Sequence, residues 1–529
     1  MTEVVLCREN SYYDSITLMT LSNKLKKMSG VQDAVVSMAT PMNKELIESI
    51  GMLNDELASA SSNDMLIAIR GDSEKACQAA LESIDTLLRE KKSRDESQSN
   101  RPYRTISEAD DASGSFGIAV VSVAGQFAAR EAQNALDRDM HVMLFSDNVS
   151  VEEELSLKRL AHEKNLLVMG PDCGTAILDG IGLCFANKMR RGNIGLVGAS
   201  GTGLQELCAL IDSLGGGITQ VIGTGGRDLS AEIGGIMMLD GINLLNADEE
   251  TKTIVVVSKP PSTEIAGKII NQVKHCSKPV VVCFIAREPD KPDGNLVYAS
   301  SLEDAAFKSI ALSQGKAINK KKEALSRSYF PIDQAKVYDA ASGLDKKQHY
   351  LRGLFCGGTL AAEAQYEASK VLPCVRSNVA KNPEFKLDNP FESEGNCIID
   401  MGDDLFTEGR PHPMISPDLR CNRIIQEALD PECAVILLDF EIGFGSNADP
   451  ASIALGAITE SRRLREASTD AKGEVVFVGY VQGTKADYQG LHKQRRLLEE
   501  AGVLVANSNL HAVLIALEIM KFKEGGLDV

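Results

Sequence analysis

Tryptophan is absent from this chain, so no reading of carbohydrate or lipid recognition can rest on an indole ring. Positive charge is scarce: 56 Lys and Arg stand against 74 Asp and Glu, a formal net charge of −18. A general nucleic-acid binder needs a basic face to neutralise phosphates, and an anionic bilayer repels an acidic surface. Neither nucleic acid nor a membrane is therefore expected as a partner. No apolar run approaches the roughly 20 residues of a spanning helix; Ile254 to Val257 and Val280 to Ala286 have the length of buried strands. No basic start leads into a long apolar segment, so a cytoplasmic location is expected. The twelve cysteines show no paired CxxC or His-rich spacing, which argues against a zinc site or disulfide framework and for reduced, buried thiols. GxxxxGK[ST], HExxH and GxSxG are all missing, which excludes an autonomous P-loop kinase, a metalloprotease and an α/β-hydrolase.

What is present is ordinary globular material, 43% hydrophobic and 25% charged over 529 residues. That length is too great for one core and calls for several domains. Residues 1–92 alternate short strands and helices, as a small ferredoxin-like or partial Rossmann unit would. A polar linker runs from Lys91 to Ser115. Residues 115–190 read as a Rossmann-like domain of CoA-binding type, because Val/Leu/Ile-rich strands separated by helices indicate a parallel sheet covered on both faces. Two further domains, 192–315 and 350–522, flank a second linker from Lys316 to Lys347. They follow one script: apolar strand, Gly/Ser/Thr turn, helix bearing Glu206 or Glu363, strand, acidic Gly-rich loop, helix and buried strands. Two copies of a flavodoxin-like, doubly wound unit account for this. The expected class is α/β and multi-domain.

An anionic ligand held by so acidic a chain needs local donors, and helix starts supply them. Ser200-Gly201-Thr202-Gly203 lies between a strand ending at Val197 and a helix beginning near Leu204. Its glycines allow close approach, and its first amides can hold phosphate or carboxylate; an ordinary N-cap is the other reading. Cys356-Gly357-Gly358-Thr359 repeats the turn in the second copy. Packing about a pseudo-two-fold axis would bring both helix starts to one site. Gly225, Gly226 and Arg227 add amides and a guanidinium, or else form a simple turn. Asp403, Arg410 and His412 place acid, cation and base close in sequence. The acid could ligate Mg²⁺ or merely cap a helix. His412, held between prolines, suits a positioned donor.

MGPDCGTAI at 169–177, IGLVGASGTGLQE at 194–206 and IGTGGRDL at 222–229 resemble the succinyl-CoA synthetase superfamily of NDP-forming acyl-CoA synthetases. Within it, RENSYYDS at 8–15 and GDDLFTEGRPHPMI at 402–415 look like the FdrA family. That resemblance implies a subunit of oxamic transcarbamylase in allantoin breakdown, an oligomer working with companion proteins. The reaction would be phosphorolysis of oxalurate to oxamate and carbamoyl phosphate. Phosphate would be a substrate, and Arg227, Arg410 and His412 would act on the reacting carbonyl. Two departures bear on the superfamily's usual chemistry. The first strand-to-helix turn, Arg8 to Asp14, has no glycine, which counts against CoA. Asn295 stands where the superfamily's phosphate-relay histidine is expected. No resident cofactor follows from the sequence. An acyl-CoA synthetase-like enzyme and a non-catalytic, metabolite-sensing scaffold are the alternative readings.

Overall fold

A computed structural model describes residues 2–523, apart from 10, 12, 14, 41–42, 45–46, 49–50, 62–63, 94–102, 115, 288–290, 319–326, 381 and 409. The chain divides into two compact units, Met1–Glu108 with Asp403–His412, and Ala109–Gly402 with Pro413–Val529.

The first unit runs β1 (Thr2–Arg8), α1 (Ser15–Lys26), β2 (Val31–Met38), α2 (Asp55–Ser59), β3 (Met65–Gly71) and α3 (Glu74–Ser93). Its sheet has the order β1-β3-β2, antiparallel throughout, which removes the partial Rossmann alternative. The central strand, MLIAIRG, is buried on both faces. Its period of two sends Ile67 and Ile69 to Leu18, Leu21 and Leu25 of α1 and Ile84 of α3, while Leu66 and Ala68 meet Ile47, Met52 and Leu57. Asp403 and a short helix, Asp404–Thr407, also belong to this unit.

The second unit opens with a parallel sheet of β4 (Ile118–Val121), β5 (His141–Leu144) and β6 (Val168–Met169), joined by α4 (Gly125–Leu136) and α5 (Val151–Glu163). A Ser150/Glu153 capping box starts α5. Next come β7 (Thr175–Leu178), β8 (Ile181–Cys184), β9 (Arg191–Gly198), α6 (Gly201–Ser213), β10 (Ile218–Gly223), α7 (Ile236–Ala247), β11 (Thr253–Ser258), α8 (Thr263–Lys274), β12 (Val280–Phe284), β13 (Leu296–Tyr298) and α9 (Leu302–Ser313). After α10 (Gln334–Ser342) follow β14 (Tyr350–Phe355), α11 (Gly358–Ser369), β15 (Arg376–Ser377), β16 (Cys397–Asp400), α12 (Asp418–Leu429), β17 (Cys433–Glu441), α13 (Pro450–Glu466), β18 (Val476–Gln482), α14 (Leu491–Glu500), β19 (Leu504–Ala506) and α15 (Asn509–Lys523).

The repeat is visible in strand order. One sheet runs β13-β12-β11-β9-β10-β7-β8 and the other β15-β16-β14-β17-β18-β19. Superposing β9 on β14 matches β10 to β16, β11 to β17, β12 to β18 and β13 to β19, all parallel. Strands such as TIVVVS and CAVILLDFE are buried along their whole length because helices cover both faces. The antiparallel β7–β8 hairpin at one edge was not apparent in the sequence.

The second linker is more structured than its Lys-rich composition implies. Ser328 is buried and donates to Glu303, Tyr329 stacks on Phe307, and Asp333 caps α10. Within the first linker, 94–102 lie outside the described residues, and Ile106–Ser113 is helical.

Candidate functional site: two facing helix starts

The strand β9 ends at Gly198, and α6 begins at Gly201 rather than near Leu204, because Ser200 caps it by accepting from the Gly203 amide at 3.1 Å. The equivalent α11 has Gly357 at its N-cap and no side-chain cap. The two starts touch. Ser200 and Thr359 hydrogen-bond through their hydroxyls. A Cβ on Gly357 would lie 3.0 Å from Thr202 Cγ2, and one on Gly203 would lie 2.5 Å from Ser200 Oγ and 3.1 Å from Thr359 Cγ2. Glycine at 203 and 357 is what permits this approach. Ser200, Gly201, Thr202 and Gly203 are thus brought together with Cys356, Gly357, Gly358 and Thr359, at the carboxyl ends of both sheets.

Behind α6 the site is polar and incomplete. Thr175 of β7 is 1% exposed, its hydroxyl has no hydrogen-bond partner, and it lies 3.5 Å from the Cβ position of Gly201. Ser258, ending β11, is also buried with an unpartnered hydroxyl. Among the described residues no side chain other than Ser200 caps the first amides of α6. Such a start carries about half a positive charge and can take an anion's oxygens.

Behind α11 the chain supplies its own anion. Asp439 of β17 accepts from the amides of Cys356 (2.8 Å) and Gly357 (2.9 Å). Arg420 of α12 donates to Asp439 Oδ1 at 2.8 Å and to Cys356 Sγ at 2.7 Å. Burial, reinforced by the Asp439 charge, holds the Glu441 carboxyl well above the usual carboxylate range, and burial likewise raises the Cys356 thiol. Cys356, Asp439 and Glu441 bring ligand atoms within 4.8 Å of one another, but the guanidinium already occupies the cation's place. Asp400 also faces this start, its carboxylate filling the space that a side chain on Gly358 would need.

One turn deeper, the two repeats brace each other. Glu206 of α6 accepts from the Asn509 amide, the start of α15 in the other repeat, at 3.2 Å. Glu363 of α11 accepts from the Leu302 amide, the start of α9, at 3.0 Å and from Asn509 Nδ2 at 2.8 Å. Burial pushes Glu206 up to about 8 and Glu363 up to about 7, against the hydrogen bonds that lower them.

The remaining sequence candidates lie elsewhere. Gly225 needs its positive φ of 83° and sits against the Pro171 carbonyl; Gly226 has open space at its Cβ position. Arg227 is engaged with Glu154 (2.9 Å) and the Val149 carbonyl (2.6 Å). Its loop is pinned by Lys158, fully buried between Glu154, Asp228 and the Thr224 carbonyl. Asp403 caps its short helix, accepting from Leu405 N at 3.1 Å, the local alternative to Mg²⁺ ligation. Asp403, Arg410 and His412 belong to the other compact unit. Asn295 donates to the Cys276 carbonyl at 3.2 Å and stands at the amino ends of β12 and β13, opposite the helix starts. It therefore does not occupy a relay position. Among the described residues no helix is long and apolar enough to cross a membrane.

Three family descriptions match the chain: an AllF heavy metal-associated domain over residues 1–103, a CoA-binding domain over 189–286 and CoA-ligase over 354–519. The chain is 44% identical to the Escherichia coli protein YahF, over 98% of this chain and 99% of that one. It is 28% identical to the alpha 1 subunit of the ADP-forming succinate–CoA ligase of Archaeoglobus fulgidus, over 38% of this chain and 68% of the relative. A solved dinucleotide-forming acetyl-coenzyme A synthetase 1 from Ca. Korarchaeum cryptofilum aligns over 82% of this chain and 90% of its own, at 16% identity and a TM-score of 0.34.

These matches correct the carbamoyltransferase expectation: the CoA-ligase match and the succinate–CoA ligase relative are resemblances to ligases, and none is to a carbamoyltransferase. They also remove the argument against CoA drawn from Arg8 to Asp14. That turn lies in the segment matching the metal-associated domain, while the CoA-binding match starts at residue 189. A soft heavy metal needs paired thiolates. In the first unit Cys7 is the penultimate residue of β1, whereas the Cys77 thiol donates to the Thr2 carbonyl at the strand's other end. Five residues of strand, roughly 17 Å, separate Cys7 from Thr2, so these cysteines do not fit such a metal. The open cradle at Gly201 and the orphaned Thr175 hydroxyl do fit an anionic group of the kind that CoA and acyl phosphates carry.

Proposed function

The chain belongs to the same family as Escherichia coli YahF, and from that premise we propose that it is an acyl-CoA synthetase-like enzyme of the CoA-ligase class. The observation that carries the reading is the open start of α6, with Gly201 bare and the buried Thr175 hydroxyl unpartnered beside it. Amides aimed at an anion's oxygens stabilise charge that grows as an acyl–phosphate bond forms or breaks, and they need no reorganisation to do so. CoA, when bound, supplies a thiol that takes the acyl group. Ser200 and Thr359 hold the two helix starts together, so the donors are fixed before the ligand arrives. RENSYYDS and GDDLFTEGRPHPMI support an FdrA-type member of this class. Because the succinate–CoA ligase relative is named as an alpha subunit, we extend the reading to a chain that works with companion subunits.

The test is CoA-dependent acyl transfer, measured with the purified chain alone and with co-purifying subunits, using acetyl phosphate or a panel of short carboxylic acids supplied together with ATP. Gly201→Asp is the decisive variant. An acid in the first turn favours the helix yet puts a negative charge where the anion should sit. Turnover is expected to fall by about 10² or more with the melting temperature unchanged. Gly201→Ala, whose Cβ meets only an ordinary 3.5 Å contact, should keep most activity. Equal activity in Gly201→Asp and the parent would sink the reading.

A further inference from the structure

A cavity of about 240 Å³ opens between α5 and α7, and none of the residues of the facing helix starts lines it. That volume is below the roughly 300–1,000 Å³ of sites for drug-sized ligands, so its occupant is small. Each wall is one face of a helix, built from residues three and four apart. From α5 come Arg159, His162 and Glu163; from α7 come Ile236, Leu239 and Asp240. His162 Nδ1 lies 2.9 Å from Asp240 Oδ2 and joins the two walls. Arg159 and Glu163 have the spacing at which Glu154 and Lys158, earlier on the same helix, pair at 2.8 Å. They do not pair, and among the described residues neither has another ion-pair partner. One cation and one anion, about 6 Å apart along the helix, therefore share the cavity with the half-buried side chains of Ile236 and Leu239. Glu163 is also the last residue of α5, where backbone carbonyls favour a cation.

We infer that this cavity binds one small aliphatic amino acid. Arg159 takes its carboxylate, Glu163 takes its ammonium, and Ile236 and Leu239 cover its side chain. A simple carboxylate leaves Glu163 unmatched and a simple amine leaves Arg159 unmatched, so the zwitterion is the ligand that answers both charges and the apolar wall. The inference stands apart from the CoA-ligase reading, because it uses no residue of the helix starts. The ligand would bridge α5 to α7, which Lys158 already joins through Asp228, the acceptor of the Met237 and Met238 amides.

Isothermal titration of the full chain with L-leucine tests it, beside glycine, 4-methylpentanoate and 3-methylbutylamine, which lack in turn the side chain, the ammonium and the carboxylate. One leucine per chain is expected, with each lesser probe at least about 10-fold weaker. Arg159→Gln and Glu163→Gln change exposed positions, and each should weaken leucine by about 10- to 100-fold, the range of a hydrogen bond to a charged group. Glu163→Gln should leave 4-methylpentanoate unchanged, and Arg159→Gln should leave 3-methylbutylamine unchanged, a selectivity that a general loss of folding does not produce. No binding of leucine to the parent, equal binding of leucine and 4-methylpentanoate, or parental affinity in either variant would overturn the inference. So would an equal loss for every probe in either variant.

Discussion

The starts of α6 and α11 arise from the same local grammar, a buried strand, a small turn and a helix, yet one is open and the other is filled. At α11 an aspartate, its arginine and a neutral glutamic acid close the charge balance internally. At α6 Val257 takes the aspartate's place and offers no carboxylate, and the buried Thr175 hydroxyl beside the first turn has no partner. Duplication of a fold therefore does not imply duplication of a site. A single position on the neighbouring strand, Val257 against Asp439, decides whether that strand supplies the helix start with an anion.

The largest effect should come from Asp439→Ala. It strands the buried Arg420 and uncaps α11, and losing one partner of a buried pair costs about 3–5 kcal/mol. Ser258→Ala, on the strand that neighbours β9, removes a hydroxyl that makes no hydrogen bond and should cost under about 1 kcal/mol. Denaturant midpoints measure both, and equal losses would erase the distinction between the two starts.

The glycines offer a second, smaller contrast. Gly358→Ala drives a Cβ into the Asp400 carboxylate and should destabilise by about 1–3 kcal/mol through overpacking. Gly201→Ala meets only the 3.5 Å contact and should leave the thermal midpoint within experimental error.

The last effect concerns what the repeats share. Glu206 and Glu363 are both raised from the ordinary 4.5, to about 8 and about 7. The folded state therefore holds more protons than the unfolded state over that interval, and stability falls with rising pH. Their contribution is complete below about pH 4.5 and is lost by about pH 8 for Glu206 and about pH 7 for Glu363. Glu206→Gln combined with Glu363→Gln should flatten this decline in pH-dependent urea unfolding. A slope unchanged in the double variant would mean that these acids are ionised in the folded chain.

Much of the architecture could be read from residue order. Apolar strand runs such as TIVVVS, alternating with amphipathic helices, identified the parallel sheets and their repetition, since burial on both faces leaves no other pattern. The turns at 200–203 and 356–359 were legible for the same reason: glycine and hydroxyl residues between strand and helix have a local meaning. Thr175, Arg420 and Asp439 were not legible. Each acts on a turn that lies far from it in sequence, and none belongs to a motif. Arg227 misled because a guanidinium in a Gly-rich loop reads as a ligand for phosphate, whereas Glu154, on a helix more than seventy positions earlier, engages it.

By itself, the sequence determined the secondary elements, the two doubly wound copies and the presence of two helix starts, because strand period, helix period and turn chemistry are local properties of the chain. Only the tertiary structure decided that the two starts touch, that one is capped by Asp439 and that the other keeps the unpartnered Thr175 hydroxyl beside it. Those outcomes depend on which strands become neighbours, and a residue's charge acts through space on whatever backbone the fold places next to it.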